Sequence, residues 1–161
     1  ITQDTSDDLD QFMNKATDEF DCVVLDIGSV SGLSNRLTDR RWTSTVTTWC
    51  CDQADELMIT SRADHLGHHR LVQVIDLLQQ TSIRAQLSFT QNMKSPGKRG
   101  DAEMARFLTV TTALKPIRVR SMKQEVRSVQ AAEDEHATMV EINERSHLRK
   151  AIAELAREIT S

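Results

Sequence analysis

Asp26 is the residue of this sequence best placed to do chemistry. It follows Cys22–Leu25, a continuous run of β-favouring apolar residues that predicts a strand buried on both faces. In open α/β sheets ligands bind at the carboxyl ends of the strands, and a carboxylate there can hold Mg²⁺ directly or through water. One alternative stays open, in which Asp26 is only a helix-capping or turn residue.

Three histidines, His65, His68 and His69, stand at the start of a predicted helix. The spacing of His65 and His69 places two imidazoles on one helix face, as a zinc site requires. The glutamate that a metalloprotease needs is missing, and the pattern suggests no third ligand. A solvated helix start is therefore the favoured interpretation.

Three further patterns lack residues that their chemistry needs. Cys50 and Cys51 are neighbours on a predicted helix and point in different directions, which indicates buried thiols rather than a chelating pair. Gly28–Gly32 has Val30 where the G-x-S-x-G elbow of hydrolases needs its serine. Pro96–Gly100 has a lysine near two glycines, but G-x-x-x-x-G-K-[ST] occurs nowhere in the sequence. If the chain has an NTPase fold, its phosphate loop lies outside this sequence.

A basic cluster spans the last predicted strand and the helix after it. Its members are Arg118, Arg120, Lys123 and Arg127. Such a cluster could contact phosphates or acidic partners. Because Glu125 lies among these cations, a solvated surface is the favoured interpretation.

Helices and strands must alternate along the chain to position these residues. Apolar spacing predicts helices over about 7–18, around Trp42–Trp49, over about 64–80, around Met104–Ala113, around Val126–Val129, and over Leu148–Ile159 with Ser146 as N-cap. Short apolar runs predict strands at Cys22–Leu25, Leu57–Ile59, Ile83–Phe89 and Ile117–Val119, and Asn92–Gly100 reads as an exposed basic loop. This alternation predicts an α/β three-layer sandwich with a mainly parallel sheet.

The composition fits one globular domain. The chain has 161 residues, of which 39% are hydrophobic, and a formal net charge of −4, so no global basic field indicates a nucleic-acid protein. No apolar run approaches the roughly 20 residues that span a bilayer. Three cysteines are too few for a disulfide scaffold and favour a reducing compartment, which predicts a cytoplasmic protein. A first residue of Ile1 rather than Met leads us to expect a piece of a longer protein.

Five segments, in their order and spacing, carry a resemblance to a known family. They are Asp21–Asp26, Ala54–Ile59, Ile83–Asn92, Val126–Ala131 and Ile142–Leu155. Together they resemble the C-terminal part of the deviant P-loop ATPases of the MinD/ParA group, which includes CpaE/TadZ-type pilus-localisation proteins. The resemblance covers most of the chain. It implies a P-loop NTPase-like fold in which residues 1–161 form the C-terminal portion of a single domain that lacks the phosphate loop.

The resemblance also implies a function. ATP binding with Mg²⁺ would drive homodimerisation, and hydrolysis would release the dimer. Asp26 would bind or orient Mg²⁺ as the catalytic residue, and Asn92 would contact the adenine. The partners would be proteins of a positioning, partitioning or secretion apparatus. Nucleic acid stays an open partner class without support, and no feature indicates direct membrane binding.

Two departures from the family pattern keep a rival hypothesis open. Ile27–Ser29 stands where the family has a proline-rich turn, and Arg120–Lys123 stands where it has a Pro-x-Asp turn. A non-catalytic family member that acts as a localisation scaffold is the alternative. A weaker third hypothesis is a receiver-like signalling domain with Asp26 as its phosphoacceptor.

Overall fold

A three-stranded parallel sheet with intervening helices forms the centre of the molecule. The computed structural model describes the backbone of residues 3–28 and 42–160, and the side chains of residues 7–28 and 46–160. Within these ranges the strands are β1 (Glu56–Arg62), β2 (Gln86–Lys94) and β3 (Arg118–Lys123). The helices are α1 (Gln3–Glu19), α2 (Trp42–Gln53), α3 (His65–Gln79), α4 (Gly97–Thr111), α5 (Val126–Asp134), α6 (Met139–Ile142) and α7 (His147–Ile159), with a 3₁₀ turn at Thr112–Leu114. The predicted α/β class with a parallel sheet is confirmed.

The strands lie in the order β1-β2-β3, and both pairs are parallel. Parallel neighbours need crossover connections, and α3 and α4 supply them. These two helices contact each other, as helices on one face of a sheet do. The carboxyl ends of all three strands therefore lie at one edge.

Both faces of the central strand β2 are covered. Residues Leu87–Gln91 are consecutive and all buried, although their side chains alternate between faces. On one face, the Phe89 ring meets Phe107 of α4 edge-on, with ring centroids 6.5 Å apart. On the other face, Arg118 and Arg120 of β3 bind Glu158, which fixes α7 there.

The strand predicted at Cys22–Leu25 is wrong. Residues 22–28 form neither helix nor strand, and Val24 is 83% exposed. A β-favouring run becomes a strand only when a neighbouring strand binds its backbone, and none of the described strands pairs with this segment.

The loop predicted at Asn92–Gly100 is mostly regular structure. Strand β2 continues to Lys94, and α4 begins at Gly97 with Pro96 as its N-cap. Proline is compatible with a helix start because its fixed φ suits the entry and it has no N–H to satisfy. The connection is therefore two residues long, and Lys98 lies exposed on the first turn of a helix.

The other predicted elements are found close to their predicted positions. The helix expected over 64–80 is α3, the terminal helix begins after Ser146 as predicted, and the strands expected at Leu57–Ile59, Ile83–Phe89 and Ile117–Val119 overlap β1, β2 and β3. Among the described helices, none is both long enough and apolar enough to cross a bilayer.

Candidate functional site

The carboxyl edge of the sheet is the candidate functional site, because ligands of open α/β sheets bind there. Four helices begin at this edge: α3, α4 and α5 each follow a strand, and α7 begins beside Glu125. Strand β1 leads through Asp64 into α3, and β2 leads through Ser95 and Pro96 into α4. Glu125 follows β3 and contacts the first residues of α7.

Asp64 caps the N-terminus of α3. Its Oδ1 accepts a hydrogen bond from the Gly67 N–H at 2.7 Å, and its Oδ2 lies 2.6 Å from an Arg62 guanidinium nitrogen. The Gly67 N–H, with help from Arg62, holds the pKa of Asp64 below its usual value. The turn is so tight that a Cβ on Gly67 would lie 2.2 Å from the Arg62 carbonyl oxygen. Only glycine fits there.

Glu103 lies inside α4, and its carboxylate binds Ser95, the residue that precedes the N-cap Pro96. Its carboxylate is buried and accepts the Ser95 N–H at 2.9 Å, the Ser95 hydroxyl at 2.9 Å and the Arg99 Nε–H at 3.1 Å. Burial by itself would raise the pKa of Glu103, but the bonds from Ser95 and Arg99 outweigh burial and lower it. Ser95 is drawn so close that a Cβ on Gly100 would lie 1.8 Å from its carbonyl oxygen.

The Glu125 carboxylate caps the N-terminus of α7. Its Oε2 accepts the Ser146 hydroxyl at 2.7 Å, and its Oε1 accepts the His147 N–H at 2.6 Å and the Leu148 N–H at 3.1 Å. The Ser146 hydroxyl is the main reason that the pKa of Glu125 is lowered. This contact also ties the end of β3 to a helix that begins 22 residues later.

Two helix N-termini at the edge, those of α3 and α7, are thus occupied by carboxylates of this chain. A free helix N-terminus binds phosphate through its unpaired N–H groups and its positive dipole end. Asp64 and Glu125 accept those N–H groups at α3 and α7, whereas α4 and α5 have no side-chain cap. A phosphate at α3 or α7 would meet a negative charge. These two helix ends are therefore not built to hold phosphates.

Asn92 lies at this edge, as its predicted role requires. It is half-buried near the end of β2, and its Oδ1 accepts the Met93 N–H at 2.8 Å. Strand β2 has a register shift between Gln91 and Lys94, and Met93 takes a positive φ of 61° there. This bulge interrupts the pairing of Asn92 with β3, while Asn92 still pairs with Arg62 of β1. Its Nδ2 has no partner among the described residues.

Asp26 lies in the segment of residues 22–28, which has no regular secondary structure. It does not end a strand, its side chain is exposed, and its Oδ1 accepts the Gly28 N–H at 3.0 Å, which is the geometry of a turn residue. It lines a cavity of about 610 Å³ together with apolar residues of α1, including Leu9 and Phe12. No described hydrogen bond or cavity joins Asp26 to Asn92.

The basic cluster is not the solvated surface that the sequence favours. Arg118 pairs with Glu56 and donates to the Glu158 carbonyl oxygen at 2.8 Å, while Arg120 pairs with the Glu158 carboxylate. The two arginine side chains are only 22% and 27% exposed. Their partners come from β1 and α7, which explains why local sequence did not reveal them. Lys123 and Arg127 are exposed, as expected.

The remaining candidate residues are in ordinary structural positions. His65 and His69 are exposed on the first turns of α3, in agreement with a solvated helix start. Cys50 and Cys51 are buried, and burial raises the pKa of the Cys50 thiol. In the ranges that the structure describes, no three His, Cys, Asp or Glu residues form a group that could hold a metal ion.

Sequence reasoning missed Glu103 and Glu125, which organise the edge. Ser95 and Glu103 are eight residues apart, and Glu125 and Ser146 are 21 apart, so neither pair forms a local motif. At this edge the Asn92 amide lies at a bulge, and the N-termini of α3 and α7 are occupied by Asp64 and Glu125. No protein-family model matches this chain, and a search of curated proteins finds no similar protein.

Proposed function

We propose that this chain is part of a MinD/ParA-like ATPase that acts in intracellular positioning, partitioning, or localisation of a secretion or pilus system. In this proposal residues 1–161 are the C-terminal portion of a P-loop NTPase-like three-layer domain, which dimerises with ATP in the cytoplasm. The parallel sheet, with helices on both faces of β2, supports it.

The position of Asn92 carries the proposal. Its Oδ1 is fixed by the Met93 N–H, so its amide nitrogen has a defined direction and is free to donate. A donor of this kind suits the ring nitrogens of adenine, which accept hydrogen bonds. The bulge at Met93 is the sort of local irregularity that re-aims a side chain next to a functional site. Asn92 would therefore contact the base.

The described residues suit the phosphates and Mg²⁺ less well than they suit the adenine base. When bound, Mg-ATP would supply the phosphoryl group whose transfer switches the dimer. The ends of α3 and α7 at the carboxyl edge already hold Asp64 and Glu125, and Asp26 lies in a turn rather than at the end of a strand. In this proposal the phosphate loop lies outside this sequence.

A non-catalytic scaffold is the second candidate, and one observation favours it. The residue that would orient Mg²⁺, Asp26, does not end a strand of the sheet, whereas the scaffold needs the fold and no turnover. Such a protein would keep the partner-binding surfaces of the family and lose the nucleotide cycle.

Nucleotide binding by the intact protein that contains this chain separates the two candidates. We expect binding of a fluorescent ATP analogue to weaken about tenfold in Asn92→Ala, because one hydrogen bond to a buried base is lost. Asn14→Ala, an exposed asparagine on α1, is the control and should change nothing. Equal affinity in both variants would show that Asn92 does not contact the nucleotide. If the wild type binds no nucleotide, the scaffold hypothesis is favoured over the ATPase.

Turnover tests Asp26 separately. Phosphate release is measured for the wild type and Asp26→Asn, with thermal melts as the folding control. If Asp26 serves Mg²⁺, the variant loses turnover and keeps its melting temperature, because an exposed turn residue contributes little to stability. Equal nonzero rates would reject that role.

A further inference from the structure

Among the described strands, β1 pairs with β2 alone, on one of its two edges. The Asp55 carbonyl accepts the Gln86 N–H, and the Ala63 N–H donates to the Asn92 carbonyl, both at 2.9 Å. Alternate residues of a strand direct their backbone groups to the same side, so Met58 and its even-numbered neighbours face away from β2. Within the described ranges no strand accepts those groups. An exposed strand edge is a template for another strand.

A large cavity lies against the first half of β1. It measures about 1090 Å³, and its lining includes Glu56–Met58 of β1, residues 20–25 and 27, and parts of α1, α2 and α7. A five-residue strand within a packed sheet fills roughly 800 Å³, from about 3.3 Å rise per residue and spacings of about 4.8 and 10 Å. The cavity is large enough for one strand.

A second part of the cavity lining is strand-like in sequence, and none of the described strands pairs with it. Cys22–Leu25 has the β-favouring residues of a buried strand, yet Val24 is exposed and residues 22–28 have no regular structure. A strand placed between this segment and β1 would give both of them a hydrogen-bonding neighbour. It would also cover apolar surface that now faces solvent, including Phe20.

The charges of the lining specify the occupant further. Asp18, Asp21 and Asp55 line the cavity, are exposed, and form no ion pair with a described residue. The Glu56 Oε1 is buried and has no hydrogen-bond partner among the described residues, although its other oxygen binds Arg118. The lining has a strong excess of carboxylates, so a basic occupant is favoured.

We propose that this cavity binds one extended polypeptide segment, with β-favouring residues and a basic end, as a fourth strand on β1. The recognition is β-strand addition: backbone bonds to Met58 and its even-numbered neighbours give affinity, and the carboxylates select the basic end. The proposal does not depend on nucleotide binding.

The probe is a fluorescent nine-residue peptide with two lysines followed by alternating valine and threonine. We expect it to bind the chain in an anisotropy titration and to slow hydrogen exchange at the Met58 amide. The Leu57 and Ile59 amides already face β2 and should change little. Replacing the lysines by glutamates should weaken binding about tenfold, because like charges then meet at the mouth of the cavity.

Two variants isolate the backbone contact. Met58→Pro removes the outward N–H at an edge position where proline is tolerated, and it should weaken peptide binding about tenfold. Met58→Ala changes the same side chain, keeps the N–H, and should bind nearly as well as the wild type. Circular dichroism checks that both fold. If Met58→Pro does not fold, a peptide N-methylated on alternate residues makes the same test on the wild type.

Three results would overturn the proposal. The first is no peptide binding by the folded chain. The second is equal binding by Met58→Pro and Met58→Ala, or by the N-methylated and unmodified peptides. The third is protection of the Met58 amide that rises with protein concentration in the absence of peptide, because a second copy of the chain then fills the cavity.

Discussion

Replacing Glu103 by glutamine should remove much of the stability of the carboxyl edge. The carboxylate is buried and accepts three hydrogen bonds, from the Ser95 N–H, the Ser95 hydroxyl and Arg99. Glutamine puts an NH₂ group where one acceptor oxygen was, so at least one donor of Ser95 or Arg99 loses its charged acceptor inside the fold. A lost partner costs about 1–3 kcal/mol, and more when the bond involves a charge, so we expect the free energy of unfolding to fall by about 3 kcal/mol.

Thermal unfolding measures this loss directly. For a chain of this size, about 3 kcal/mol corresponds to a fall in Tm of roughly 6–12 °C. Asp101→Asn is the matched control on the same helix. Asp101 is exposed and lies 3.4 Å from the Lys94 ammonium, so its loss should cost less than about 1 kcal/mol. Equal melting temperatures for the two variants would refute the role of Glu103 as the anchor of α4.

The pH dependence of Glu103→Gln has a definite sign. The folded-state pKa of Glu103 is lowered, so its stabilisation is complete above the unfolded-state value near about 4.3 and is lost as the pH falls through the folded value. The difference in stability between wild type and variant should therefore be constant near neutral pH and shrink in acid. A difference that grows as the pH falls would contradict the lowered pKa.

Three further predictions concern the same framework. Gly67→Ala should destabilise the fold by about 2 kcal/mol in urea titrations, because the clash with a carbonyl oxygen 2.2 Å away exceeds the helix preference of alanine, about 1 kcal/mol; His69→Ala on the same helix should be nearly neutral. Arg118→Met should cost about 3 kcal/mol by leaving Glu56 without its partner, whereas Arg127→Met, at an exposed position, should cost under about 0.5 kcal/mol. The pKa of Glu125 is also lowered, so Glu125→Gln should reduce the loss of Tm that the wild type shows below about pH 4.

Much of the framework could be predicted because its signals are local. The apolar face of α3 and the Ser146 cap of α7 each lie within one stretch of sequence, and each is found where the pattern predicts it. The short run Leu57–Ile59 correctly indicates a strand because β2 lies beside it. The equally good run Cys22–Leu25 fails, because a strand also requires a partner that its own sequence does not encode.

The candidate site depended more on contacts between distant residues. Asn92 was placed correctly near the end of β2, but the register shift beside it follows from pairing with β3 and has no local signature. Arg118 binds Glu56 and Glu158, which lie 62 and 40 residues away, so a basic cluster in the sequence became part of an ion-pair network. Local sequence patterns predict the helices and strands, whereas contacts between distant residues determine which side chains at the site are already paired.

Calorimetric titration of the 161-residue chain with Mg-ATP tests most directly whether its carboxyl edge can hold phosphates. Asp64 and Glu125 occupy the N-termini of α3 and α7 there, and the phosphate-loop pattern G-x-x-x-x-G-K-[ST] occurs nowhere in the sequence. We therefore predict no binding in the micromolar range, because one amide contact from Asn92 to the base cannot compensate for the missing phosphate contacts. Micromolar binding of Mg-ATP by this chain, displaced by inorganic pyrophosphate, would show that the chain holds the phosphates itself and would contradict this assignment of the site.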